Sequence, residues 1–275
     1  MENIITITDD FDLYKIAYSG QCFRVRRFED DMYRFVTDEY ILYIKKIGNV
    51  EYSISCSKDI WNEVWFSYFD LGRNYEKIRR GLSFKNEFVG NAIVAGEGIR
   101  ILRQDKWEML VTFIISQRKS IPAIANAIMR MCERFGKLVD TEYESLNLFP
   151  TVEDLINVRI DELLDCGLGY RAGYISSAIE KVVTGDLDLE IMANYNDEDL
   201  FEKLKEFKGV GNKVADCVCL FGYGRLARVP IDVWIQKAIE QEFEGENLFV
   251  ECGKVAGVLQ QYVFYYQKNR EYGGN

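Results

Sequence analysis

The hydrophobic period of this chain changes once, near residue 100, and that change divides what it can fold into. Ahead of it, "NIITITD", "MYRFVTD", "EYILYIKK" and "VEYSISC" are rich in β-branched and aromatic residues, the composition of half-buried strands. Gly48-Asn49 between the last two marks a turn, so a meander of antiparallel strands is expected. Beyond residue 100, Trp107, Leu110, Val111, Ile114 and Ile115 follow one apolar helix face. Ser120 then caps a second helix with Pro122 in its first turn, striped by Ile121, Ile124, Ala125, Ile128, Cys132 and Phe135. Further helices are expected around 153–164, 171–183, 197–207, 212–222, 231–243 and 248–268. The expected fold class is therefore α+β. An antiparallel β domain covers residues 1–98, and an all-helical region covers 99–275.

Composition removes whole classes of chemistry. The 275 residues include no histidine, which excludes Ser-His and Cys-His nucleophile pairs, histidine metal ligands and histidine general bases. Seven cysteines are scattered without regular spacing, and Cys217-x-Cys219 has no second pair to complete a zinc site. That pattern implies reduced thiols in a cytoplasmic protein. No apolar run approaches the roughly 18 residues of a membrane span, so no membrane partner is expected. Acid-base or covalent work falls to Asp, Glu, Lys, Tyr or Cys. The net charge of −10 argues weakly against a nucleic-acid partner, although a local basic groove is compatible with it.

One stretch stands out against this background. "DEDLFEKLKEFKGVGNKVADCVCLFG" reads as helix, tight Gly-Val-Gly turn, helix. Gly209 and Gly211 let the backbone turn sharply and present amides at the start of the second helix. Those amides and the helix dipole bind phosphate without any basic side chain. The same pattern fits an ordinary helix-helix connection. Lys213 lies inside that positive helix end, a poor place for a structural cation. It is a good place for a lysine that must lose its proton to act as a nucleophile; a solvated lysine beside a phosphate is the plainer alternative. Nineteen residues on, "VPIDVWIQKAI" sets Pro230 before a helix and Asp232 at its cap. Asp232 is either a simple N-cap or a carboxylate that stabilises a cationic sugar-like transition state.

Gly209-Val210-Gly211, Lys213, Pro230 and Asp232 resemble the helix-hairpin-helix, Gly/Pro/Asp superfamily of DNA glycosylases. "SGQCFRV", "IRILRQDKWEMLVTFIISQ", "CGLGYRAGYI" and "AGVLQQYVF" resemble, in order and across nearly the whole chain, its 8-oxoguanine DNA glycosylase branch of the animal and clostridial type. The resemblance implies a bifunctional glycosylase and AP lyase acting as a monomer on double-stranded DNA that contains 8-oxoguanine. Lys213 is then the nucleophile and Asp232 the catalytic carboxylate. Gly20 offers a carbonyl to the ring N–H that only the oxidised base carries. Cys217 and Phe264 sandwich the flipped base, and Gln260 bonds its pairing edge. Gly209, Gly211 and Val214 supply backbone phosphate contacts, while Tyr170 wedges the stack and Arg171 and Arg118 face the orphaned partner. No cofactor is required, and a structural monovalent or divalent cation is implied on hairpin carbonyls near Val210.

The last helix gives the same picture from periodicity. Val255, Val258, Leu259, Tyr262, Val263 and Tyr266 form its core stripe, and Gly253, Gly257, Gln260 and Phe264 project to the other side. Two departures from the animal pattern concern DNA contacts: Gln117-Arg118-Lys119-Ser120 replaces an asparagine run, and Trp234 replaces a histidine. An oxidised-pyrimidine glycosylase would carry four closely spaced C-terminal cysteines, whereas only Cys252 follows Asp232. An alkylated-base glycosylase would lack the lysine nucleophile. A non-catalytic helix-hairpin-helix module would leave the Lys213/Asp232 pair without a purpose, and an acidic interaction scaffold would leave the hairpin without one.

Overall fold

The computed structural model describes residues 3–271. The N-terminal part builds one five-stranded antiparallel sheet, and most of the chain beyond it is helical, an α+β fold. The sheet contains β1 (Asn3–Thr6), β2 (Arg26–Arg27), β3 (Met32–Thr37), β4 (Tyr40–Lys46) and β5 (Glu51–Ile54), with α1 (Leu13–Tyr18) between the first two. Strands β2 to β5 form the meander, and β1 adds to the β5 edge with Asn3 opposite Ile54. The turn at Gly48-Asn49 closes β4 on β5 through the Ile47 amide and the Glu51 carbonyl, 3.0 Å apart.

Helices also occupy the later part of the N-terminal third, where none was expected within the β domain. A helical run spans Lys58–Tyr68, followed by α2 (Tyr75–Gly81) and α3 (Glu87–Ala95). Trp61, Trp65, Tyr68 and Phe69 stand at i, i+4, i+7 and i+8, and all four are buried. Arg100 anchors this region. Its guanidinium has no exposed surface and uses all five donors: on the carbonyls of Phe69, Asp10, Asp70 and Arg73 and on the Asp9 carboxylate, at 2.7–2.8 Å. Burial alone would raise the Asp9 pKa, but the amides of Glu76 and Tyr75 and the Arg100 guanidinium hold it below the usual carboxylate value.

The helical stretch that follows contains α4 (Lys106–Ser116), α5 (Ile121–Phe135), a small hairpin of β6 (Leu138–Asp140) and β7 (Ser145–Asn147), α6 (Arg171–Val183), α7 (Asp197–Leu204) and α8 (Asn212–Phe221). The expected helix at 153–164 is two short ones, Val152–Leu155 and Ile160–Asp165; the first starts with a capping box of Thr151 and Asp154, and at the second the Arg159 amide donates to the Glu162 carboxylate at 3.1 Å. Ser120 is the N-cap residue of α5, but its side chain makes no capping hydrogen bond. Helix α9 (Val233–Gln241) follows. The expected helix over 248–268 divides at Gly253, whose φ of 50° and ψ of −116° leave helical geometry. The kink lies inside a 3-10 segment (Leu248–Val255), and α10 (Ala256–Glu271) comes after.

Compactness divides the chain differently from the expected cut between residues 98 and 99. One unit comprises Met1–Phe35, Ile41–Arg103 and Gly224–Asn275; the other comprises Val36–Tyr40 and Gln104–Tyr223. The physical reason lies in α10. It packs on α3, places the Tyr262 ring against Gly96 and bonds the segment around Ser19, so the C-terminal helices join the N-terminal core. No helix among the described residues is long and apolar enough to cross a membrane.

Helix α4 carries a testable electrostatic strain at its N-cap. Asp105 accepts the Glu108 amide at 2.7 Å, yet burial, with Glu108 and Asp38 nearby, raises its pKa to about 6. The folded state therefore holds a proton between about pH 4 and pH 6 that the unfolded chain has released, and stability falls as pH rises through that window. Asparagine caps equally well without the charge. Asp105→Asn is expected to raise Tm by about 2–4 °C at pH 7.5, by about half as much at pH 5, and not at all below about pH 4, measured by thermal denaturation across that range.

Candidate active site

The hairpin and its lysine belong to the second unit. Helix α7 ends at Leu204, and the turn to α8 runs through Gly209, whose φ is 85°. A Cβ at Gly209 would stand 2.2 Å from Cδ2 of Tyr174, so both backbone and space require glycine there. Gly211 differs: it is the N-cap of α8 in extended conformation, and a Cβ built on it meets nothing within 4 Å. That open approach lies in front of the amides of Asn212, Lys213 and Val214, which helix geometry leaves without intrahelical acceptors. The Val214 side chain is buried, so a ligand would meet only its amide. The arrangement suits an anion such as a phosphate.

Lys213 and Cys217 stand one turn apart on the same face of α8. The Lys213 amine is half-buried, 3.2 Å from Ser116 Oγ and 5.2 Å from the centre of the Phe113 ring. Ser116 Oγ in turn donates to the Phe113 carbonyl at 2.8 Å, which leaves its oxygen lone pairs toward the amine. Cys217 is buried. Ser116 closes the "FIISQ" stretch of the sequence, but nothing in that stretch singled it out, because the contact spans 97 residues.

Two loops of the same unit are tied together. Tyr170 is exposed, as a side chain that enters a base stack must be, and its ring carries the Arg171 guanidinium 4.4 Å from its centre. Arg171 itself is buried. Its guanidinium donates to the carbonyls of Leu168 and Gln117, and its Nε is buried without a partner among the described residues. The expected donor to an orphaned base is therefore engaged internally. Lys119 reaches back from the other loop to the Gly167 carbonyl at 2.9 Å, and burial followed by repulsion from Arg171 and Arg130 lowers its pKa. Arg118, between them, is exposed with a positive φ of 52°. Lys119 was not among the expected site residues; its place between two arginines shows only in three dimensions.

The remaining expected residues belong to the first unit. Asp232 caps α9, accepting the amides of Trp234 at 3.0 Å and Ile235 at 2.9 Å through one carboxylate oxygen. Gly20 has a φ of 84°, and a Cβ there would lie 2.6 Å from Cε1 of Phe264. Gly20 and Phe264 are thus in direct contact. One turn before Phe264, Gln260 is buried, and its amide oxygen has no hydrogen-bond partner among the described residues. A buried acceptor left without a donor costs roughly 1–3 kcal/mol, which a ligand N–H would recover. Gly257 also lies on this helix, but Gly253 is the kink residue of the preceding 3-10 segment and does not continue the face. Both sides of α10 are buried, so the slot and the core are distinguished by chemistry, not by exposure.

Comparisons with known proteins bear on the family of the chain. Residues 4–110 match the 8-oxoguanine DNA glycosylase N-terminal domain, and residues 111–247 match the HhH-GPD superfamily of base excision DNA repair proteins. A Saccharomyces cerevisiae protein named N-glycosylase/DNA lyase is 35% identical over 167 residues, 56% of this chain and 44% of its own length. The chain thus aligns with less than half of that relative. A Methanothermobacter thermautotrophicus protein named probable N-glycosylase/DNA lyase is 27% identical over 71% of each chain. A crystal structure of the Clostridium acetobutylicum 8-oxoguanine glycosylase/lyase, with double-stranded DNA containing cytosine opposite 8-oxoG, superposes with a TM-score of 0.90. It is 34% identical and covers 99% of this chain and 97% of its own.

The two hairpin glycines should separate cleanly in mutagenesis. Gly209→Ala is expected to destabilise the protein by about 1–3 kcal/mol, through positive φ and the Tyr174 clash. Gly211→Ala should cost well under about 1 kcal/mol and instead weaken binding to duplex DNA. Chemical denaturation and fluorescence anisotropy on a labelled duplex read the two effects independently.

Proposed function

This chain belongs to the 8-oxoguanine DNA glycosylase family of the helix-hairpin-helix base excision repair superfamily, and from that premise we propose that it removes 8-oxoguanine from duplex DNA and then cuts the strand. The target bond is inaccessible within the base stack, so the nucleotide is flipped out at a cost of a few kcal/mol. The observation that carries this reading is the buried, unpartnered Gln260 amide oxygen, one helical turn from Phe264, whose ring touches Gly20. Guanine presents N1–H and N2–H donors on its pairing edge, which an amide oxygen accepts. Oxidation adds an N7–H that the Gly20 carbonyl accepts, where guanine itself would present a lone pair.

The chemistry follows from the lysine. Unprotonated Lys213 attacks C1′ of the nucleoside, and the C1′–N9 bond breaks with its electron pair and a proton passing to the departing base. The Asp232 carboxylate stabilises the positive charge that grows on the sugar. Opening of the sugar ring gives a Schiff base, and loss of a C2′ proton expels the 3′ phosphate by β-elimination. The hairpin amides hold the backbone without sequence preference. A structural cation near Val210 belongs to the same reading. As the family resemblance implies, its ligands would be backbone carbonyls of the hairpin, a hard oxygen set. The protein would work as a cytoplasmic monomer without a cofactor.

Two variants test this. Wild-type protein is expected to excise 8-oxoguanine from a duplex and to form a borohydride-trapped adduct. Lys213→Gln should lose both by at least about a hundredfold while retaining duplex binding. An adduct that persists in Lys213→Gln would remove the lysine from its role, and tight binding without any excision by the wild type would mark a non-catalytic module. Gly20→Ala, which brings a Cβ against Phe264, should lower excision by about tenfold or more relative to wild type in single-turnover assays.

A further inference from the structure

The segment that bears Gly20 is held by α10 at two successive carbonyls. Gln261 Nε2 donates to the Ser19 carbonyl at 2.6 Å, and Lys268 Nζ donates to the Tyr18 carbonyl at 2.6 Å. The two donors are seven residues, about two turns, apart and so share a helix side. Ser19 is completely buried and is held by its hydroxyl as well: Ser19 Oγ donates to the Ile16 carbonyl at 2.9 Å and accepts from Gln21 Nε2 at 2.8 Å. The Gln21 side chain is equally buried. It also donates to the Arg100 carbonyl and accepts the Leu102 amide, each at 2.8 Å. The peptide planes before Gly20 and the residue after it are therefore fixed, while Gly20 itself, with no Cβ and a φ of 84°, has little to hold it.

We infer that Gln261 and Lys268 are positioning residues that aim the Gly20 carbonyl, and that they set the preference for the oxidised base without touching it. The inference rests on the function proposed above. A misdirected carbonyl loses the ring N–H contact while the lysine chemistry is untouched. The effect should therefore fall on base excision and not on cleavage of a site that has already lost its base. Burial lowers the Lys268 pKa and sets its amine 6.0 Å from the centre of the Phe264 ring, so the second donor also borders the base-facing side chain.

The test compares single-turnover excision of 8-oxoguanine with strand cleavage at a preformed abasic site, both on the same duplex sequence. Gln261→Met keeps the shape and removes the donor. It is expected to slow excision by about tenfold or more while abasic cleavage stays within about twofold of wild type. Lys268→Met should act in the same direction, and Lys268→Arg, which restores a donor, should recover at least half of the loss. Because Lys268 is only half-buried, its variants keep the test available if Gln261→Met folds poorly. Parallel loss of excision and abasic cleavage, or undiminished excision in both Met variants, would overturn the positioning role alone. A wild type that leaves 8-oxoguanine intact but cuts abasic sites would instead overturn the proposed substrate, and the clamp with it.

Discussion

A guanidinium with no exposed surface is the constraint on which the first unit depends. Arg100 satisfies five donors on five acceptors drawn from residues 9, 10, 69, 70 and 73. A buried charge with one partner removed costs several kcal/mol, so these segments are fixed together or not at all. The consequence reaches the candidate site, because the Arg100 carbonyl is also the acceptor of Gln21, and Gln21 holds Ser19 next to Gly20. Rigidity that begins as charge satisfaction ends as the orientation of one carbonyl.

The second unit solves a different problem, the exposure of polar backbone without loss of stability. Gly209 is packed against Tyr174 and cannot change, whereas Gly211 faces open space. The first of these glycines builds the turn, and the second keeps the helix terminus approachable. Lys213 then stands between a hydroxyl and an aromatic face. The acidic net charge of the whole chain matters little to such a site, since amides and a helix dipole can bind an anion without a basic side chain.

Much of this was legible in the sequence because it is local. The strands announced themselves by alternation, the hairpin by its glycines, and Asp232 by the proline before it. The Lys58–Tyr68 run was not read as helix because Trp61, Trp65, Phe66 and Tyr68 favour strands by composition, although the spacing of its buried aromatics is helical. The division of the chain into units was hidden because α10 returns to the N-terminal core across more than two hundred residues. The Gln261–Ser19 contact joins positions 242 apart, and the Lys213–Ser116 contact positions 97 apart. No periodicity encodes such pairs. The kink at Gly253 escaped for a simpler reason: a glycine at a helix-periodic position opposite the apolar stripe looks like a small helix residue until its φ is known.

The most direct measurement is the chemical identity of the covalent intermediate. Wild-type protein reduced with borohydride on an 8-oxoguanine duplex can be digested with trypsin and the modified peptide sequenced by mass spectrometry. The account predicts a sugar adduct on Lys213, within the peptide from Gly209 to Arg225, because the modified lysine is no longer cleaved. An adduct on Lys119, Lys268 or any other amine, with Lys213 unmodified, would contradict it.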